Sequence, residues 1–281
     1  MEFVGGQAVI EGVMMRNGDN VAVAVLDPEG KIILKKERYN FLNLKIPFIR
    51  GMVSLVEVLY VGLKTLNYSS NIAVGGTEEK KKIGVFSMIF STLFALVFAI
   101  GLFKFLPLGA ASLIDNYFGI SNVIFNLIDG FVKIGLFVIY VYSIGKMSDI
   151  KRVFQFHGAE HKTVNAYENK LKLTVLNVKK MSKVHRRCGT TFVFLVLFIS
   201  IFVYTFIPKD YSFFLKLILR LFLLPFIAGI GYEVLKLGAV YEKNWFLNLL
   251  ITPGLWLQSL TTLEPNDKQI EVAIKSLKAV V

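Results

Sequence analysis

Apolar and polar positions alternate along this chain in several distinct regimes. "IGVFSMIFSTLFALVFAIGLF" (83–103) and "GTTFVFLVLFISIFVYTFI" (189–207) carry no charge, and each comes near the roughly 20 apolar residues with which a helix crosses hydrocarbon. Both are predicted to span a membrane. Two further spans are interrupted: 122–145 contains Asp129 and Lys133, and 212–235 holds Lys216 and Arg220 near its entrance. Asp129 and Lys133, four apart on a helix, are expected to neutralise each other as an ion pair. Lys216 and Arg220 are expected to snorkel toward headgroups. The stretches 107–121 and 208–216 are read as the connections between spans.

Outside the spans the periods change. In "NVAVAVLDPEGKIILKKERY" (20–39) β-branched runs flank Asp-Pro-Glu-Gly, a hairpin signal. "GGQAVIEGVMMR" (5–16) reads as another strand with glycines at its ends. Residues 45–66 are apolar but bounded by basic residues on both sides, which predicts an interfacial or in-and-out helical segment instead of a fifth span. The uncharged run 244–263 has Pro253-Gly254 at its centre and predicts two half-helices lying in, or dipping into, the interface. At the end, Ile270, Ala273, Ile274 and Leu277 recur at helical spacing and give one apolar face for docking.

The predicted fold class is therefore an α-helical polytopic membrane protein with about four transmembrane helices, interfacial or re-entrant helices, and a small N-terminal cytoplasmic β unit. Its divisions are 1–44 (β unit), 45–82 (interfacial helix and linker), 83–145 (spans 1 and 2), 146–188 (basic loop), 189–238 (spans 3 and 4) and 239–281 (interfacial segment and amphipathic helix).

Charge gives this layout a direction. Of the net +12, eight positive charges lie between Lys146 and Arg187, where eleven Lys or Arg face Asp149, Glu160 and Glu168. The connection 107–121 has no Lys or Arg, and 208–216 has only Lys209 and Lys216. The positive-inside rule then puts the basic loop and both termini in the cytoplasm. Topology and anionic lipid account for such a loop, so no nucleic-acid partner is expected. The expected partners are the bilayer and a membrane protein or second copy of this chain. The first thirty residues lack the pattern of a signal peptide, and one cysteine forms no intrachain disulfide, which fits a reducing compartment.

The chemistry-bearing residues are concentrated in the basic loop. "FHGAEHK" (156–162) carries two of the three histidines, and His185 stands three residues before Cys188, the only cysteine. His157 and His161, four apart, lie roughly 40° from each other on one helix face, where they can grip one metal ion. H-x-x-E-H is the inverted zincin spacing, with the intervening Glu160 as general base. His185 and Cys188 supply further imidazole and thiolate, with zinc as the expected metal; four such ligands close a structural site, and three leave a position for water. Glu168 shares the histidines' helix face but lies about 10 Å along the axis, as a supporting or substrate-side group. Glu233 could lean toward the cluster or pair with Lys236. Glu11 and Arg16, beside glycines on the β unit, are further candidates for lining the site.

Five ordered blocks, "GGQAVIEGVMMR", "FHGAEHKTVNAYE", "HRRCGTTF", "RLFLLPFIAGIGYE" and "TPGLWLQSLTTLEP", cover nearly the whole chain. Together they resemble the YqhQ-type bacterial membrane proteins, the domain of unknown function numbered thirteen eighty-five. The resemblance implies a predicted metal-dependent enzyme of the bacterial inner membrane, and no particular substrate. The leading expectation is a hydrolase acting near the bilayer. The alternatives are a metal-stabilised scaffold that holds a protein partner, and a small-solute transporter in which Asp129, Lys133 and Glu233 outweigh the histidines.

Overall fold

Strict alternation along two neighbouring strands makes a sheet that is buried on both faces. The computed structural model describes residues 4–42, 44–75 and 85–281; the last residues of the 45–82 linker and the first two of the 83–103 run lie outside them. Four antiparallel strands follow in chain order, β1 (Gly5–Val9), β2 (Gly12–Asn17), β3 (Asn20–Leu26) and β4 (Ile32–Arg38). Val13, Met15, Ala22, Ala24 and Leu26 face one layer, while Met14, Val21, Val23 and Val25 face the other. The stretch 5–16 is thus a hairpin and not the single strand its glycines suggested. The chain reverses at Ile10-Glu11, where Glu11 takes the left-handed conformation at φ 53°; this is uncommon outside Gly, Asn and Asp, so no turn residue advertised it.

Each face of the sheet has its own helical cover. α1 (Ile49–Ala73) packs Val61, Tyr68 and Ile72 on one. α5 (Ser148–Glu168) and α10 (Asp267–Lys278), with the short α6 (Val175–Lys179), bury Phe156, Ala159, Val178, Ile270, Ala273 and Leu277 on the other. α10 is well anchored. Asn266 and Gln269 form a reciprocal capping box, and the Ser276 hydroxyl donates to the Ala22 carbonyl at 3.0 Å.

The remaining helices form the apolar part of the molecule. α2 (Val85–Ile100) runs through a π-turn at Gly101–Phe105 into α3 (Leu106–Phe118), followed by α4 (Asn122–Ile144), α7 (Gly189–Tyr204) and α8 (Phe213–Val240). Three stretches among the described residues are long and apolar enough to cross a membrane: Ile89–Phe118, Asn122–Ile144 and Phe213–Val240. Gly189–Tyr204 is equally apolar but has 16 residues. The connection expected over 107–121 is helical as far as Phe118. Pro107 follows directly on the π-turn, where the regular i to i−4 ladder is already interrupted, and Gly119, at φ 59°, ends that helix.

Two further expectations are corrected here. Arg220 does not snorkel, and the run 244–263 is not two half-helices. Arg220 is 1% exposed; its guanidinium lies 2.6 Å from Asp129 and donates to Asn126 at 2.7 Å. Lys216 turns back to the Lys209 carbonyl at 2.8 Å. Asp129 also binds Lys133 at 2.9 Å, so it answers two cations. A carboxylate on the facing helix outcompetes distant headgroups, because an ion buried without a partner is so costly. The run 244–263 is a single helix, α9 (Trp245–Thr261), that continues through Pro253. Packing overrides the proline: Gly254 lies against Thr191, and Gly238 of α8 receives Ile251.

Both ends of α9 return to the start of α7. Arg186 bonds Asn248 and the Gly238 carbonyl, while Thr190 meets Thr261 at 3.1 Å. At the opposite pole of the bundle, Lys209 ties Asp115 and the Ile120 carbonyl together. The sheet, α5 and α9 therefore gather at one end of the bundle.

Candidate functional site

The H-x-x-E-H residues lie in the middle of α5, and the backbone around them sets their orientation. His157 Nδ1 is 2.9 Å from the Thr261 carbonyl, and His161 Nδ1 is 2.7 Å from the Lys183 carbonyl. A carbonyl only accepts, so each Nδ1 carries a proton, and in the neutral ring Nε2 is then the atom with the lone pair. Donor atoms of both rings point to one spot. Cys188 Sγ lies 3.3 Å from His157 Nε2 and accepts the Thr190 N–H at the start of α7. Donor atoms of His157, His161 and Cys188 all fall within 4.8 Å of one another.

Glu160 sits against this trio. Its Oε2 is 3.9 Å from His157 Nε2 and 3.8 Å from His161 Nε2, outside hydrogen-bond reach of either. Burial pushes its carboxyl above the ordinary carboxylate range, opposed by His157, His185 and Arg187. Strand β1 makes room for it. A Cβ on Gly6 would stand 2.7 Å from Glu160 Cγ and 2.9 Å from the Met14 carbonyl oxygen, so only glycine lets the strand pass this closely.

His185 stands next to the trio but is engaged elsewhere. Its ring centroid is 5.7 Å from that of His161, and its Nε2 donates to Glu168 at 3.2 Å. Arg187 also binds Glu168. Burial alone would raise the Glu168 carboxyl; the hydrogen bonds from His185 and Arg187 outweigh that and hold it below the usual range. Gln258 fixes the His185 peptide from both sides, accepting its N–H at 2.9 Å and donating to its carbonyl at 2.8 Å.

The other candidates are spread more widely. Glu233 neither reaches the trio nor pairs with Lys236, but holds Arg50 and accepts the Phe48 N–H. Glu11, at the β1–β2 turn, holds Arg152. Arg16 lines the cavity described next; its guanidinium donates to the Gly18 carbonyl and lies over the Phe41 ring, 3.5 Å from the centroid. The residues that sequence reasoning missed are Thr261, Gln258 and Gly6. The first two sit in an uncharged run without any chemical signature, and the Gly5-Gly6 pair resembled an ordinary strand irregularity.

A cavity of about 530 Å³ opens beside Glu160, walled by β1, α1, α5, α7 and α8. That volume falls within the roughly 300–1,000 Å³ of small-molecule sites. His157, Glu160, His161 and Cys188 occupy one part of its wall.

Fold and site together define a mostly helical membrane-class protein in which a small antiparallel sheet meets a His–Cys–Glu cluster at one end of an apolar bundle. The chain belongs to the family described as "Protein of unknown function (DUF1385)", which matches residues 46–281. It is 38% identical over 288 residues to "Uncharacterized protein YqhQ" of Bacillus subtilis (strain 168), an alignment covering 97% of this chain and 90% of that protein. No solved structure matches this chain. The family resemblance carried by the five sequence blocks thus holds, while neither description contains the metal-dependent activity it implied.

Proposed function

We propose that this chain is a multi-pass protein of the bacterial inner membrane, with four spans and both termini in the cytoplasm, and that it is a metal-dependent hydrolase. His157, His161 and Cys188 would hold a divalent cation. The observation that carries this reading is the commitment of both Nδ1 atoms to backbone carbonyls. It leaves two Nε2 lone pairs and a sulfur converging beside a buried carboxylate, and such orienting bonds are typical of metal-ligating histidines. Imidazole with thiolate favours zinc over magnesium or calcium. Three protein ligands leave one position open, as in catalytic zinc sites. A zinc ion there would supply a Lewis acid and a water acidified toward neutrality. Glu160, close by but bonded to neither imidazole, would take up a proton at Oε2 and return it to a leaving group. Glu168 and Arg187 would hold His185 at the edge of the site.

Metal analysis of detergent-purified protein tests this. The expected result is about one zinc per chain, lost in a His157→Ala/His161→Ala double variant; negligible metal in both preparations overturns the reading. Glu160→Gln separates hydrolase from scaffold. It should keep the metal and the thermal midpoint while lowering turnover about 10²–10⁴-fold, seen as failure to complement a deletion strain. A metal-stabilised scaffold would complement normally.

A further inference from the structure

The cavity beside Glu160 has walls of two kinds. Away from the His–Cys–Glu cluster most of its lining surface is apolar, supplied by Leu55 and Val58 of α1, Phe192 of α7 and Leu235 of α8, with Gln7, Arg16 and Ser54 between them. α1 presents Gly51, Ser54, Leu55 and Val58 to it at helical spacing, and the same stripe continues to Val61 and Tyr68 against the sheet. The opposite face of α1 is apolar as well. Met52, Val56, Leu59, Leu63 and Leu66 are all exposed, Val56 at 67%. A helix apolar on both faces belongs in a core or in lipid. The cavity is partly open, Val58 in its wall remains 45% exposed, and the outward apolar stripe belongs to the same helix as that wall.

We propose that this cavity takes an acyl chain from the bilayer and sets the chain's carboxyl end, free or as an ester, against Glu160. A chain entering past Val58 would keep its methylenes against Leu55, Phe192 and Leu235 while its head reaches the His–Cys–Glu cluster. Orientation of the head rests on the metal reading; binding of the chain does not. An acyl chain is common to free fatty acids and membrane lipids, and the two sources are separated by the probes used.

The full chain in lipid nanodiscs is photolabelled with a diazirine-tagged palmitic acid and, in parallel, with a phosphatidylglycerol carrying the same acyl group, and the labelled peptides are mapped. Label, located to single residues by fragmentation of those peptides, is expected on Leu55, Val58 and Phe192 with at least one probe, and the probe that labels identifies the source. Unlabelled competitors should gain about four-fold in potency per added methylene until the cavity is full. Leu55→Trp and Val58→Trp, which fill the cavity from different positions, should each abolish this label. Val56→Trp, on the outer face, should leave it intact. Label confined to Val56 and Leu59, or label indifferent to both cavity-filling changes, overturns the proposal. Metal analysis of the same wild-type preparation separates the two readings. Cavity label in a wild-type protein that holds no metal sinks the hydrolase alone, whereas bound metal without cavity label sinks the acyl chain alone.

Discussion

At the scale of single residues the site depends on what small side chains allow. A Cβ at position 6 would come 2.7 Å from Glu160 Cγ and 2.9 Å from the Met14 carbonyl oxygen. Gly6→Ala should cost about 1–3 kcal/mol in denaturant unfolding, as overpacking does, and adding Glu160→Ala should recover only part of it, since the Met14 oxygen still blocks the new methyl. Full recovery would locate the strain in Glu160 alone. Glu37 illustrates charge outside the bundle. Burial alone would raise its carboxyl, but the Tyr39 hydroxyl and the Lys35 and Lys64 ammoniums bring it from 4.5 down to about 2. A depressed folded value stabilises above the unfolded one, so its contribution is complete above roughly pH 4.5 and fades as pH falls toward 2. The unfolding gap between wild type and Glu37→Gln should therefore be open at pH 7 and narrow at pH 3, modestly because the pair is partly exposed. The three ligand candidates were legible because scarce residue types clustered at a metal-binding spacing. Thr261 was not, because its contribution is a backbone carbonyl, which every residue possesses.

At the scale of elements, legibility followed periodicity. The hairpin at Asp-Pro-Glu-Gly and the apolar face of α10 were visible, since each repeats over several turns or residues. The β1–β2 reversal was not, because it depends on one left-handed glutamate. α9 was misjudged for a different reason: local breaker chemistry at Pro253 was outweighed by close packing of Gly254 on Thr191. The cap of α10 gives a direct measure of what one element contributes. Asn266→Ala removes the bond that the Asn266 side chain accepts from the Gln269 N–H, leaving the one its own backbone N–H donates to Gln269, and should lower stability by about 1 kcal/mol. Hydrogen exchange should quicken first at the beginning of α10, and a uniform change along the chain would contradict a local cap.

At the scale of the whole molecule, the two halves are held by different physics. The sheet and its covering helices form a two-faced apolar core, whereas the bundle is pinned internally by charge. Asp129 is the acid shared by Lys133 and Arg220, so Asp129→Leu leaves both cations without it and should cost about 3–5 kcal/mol, read as a lower thermal midpoint in detergent. An unchanged midpoint would show that the bundle does not rely on this ion cluster. Sequence could pair Asp129 with Lys133, four residues away. It could not supply Arg220, which lies 91 positions later and meets Asp129 only when α4 and α8 come together.

The Thr261 carbonyl that aligns His157 lies 104 residues further along the chain, and Gln258 reaches back 73 residues to the His185 peptide. During synthesis, α5 is therefore made long before the parts that set its imidazoles. A chain interrupted before α9 would carry both histidines of the motif with His157 free to turn. The bond that sets His157 forms only after nearly the full message has been translated, so the cluster takes its final arrangement late in synthesis.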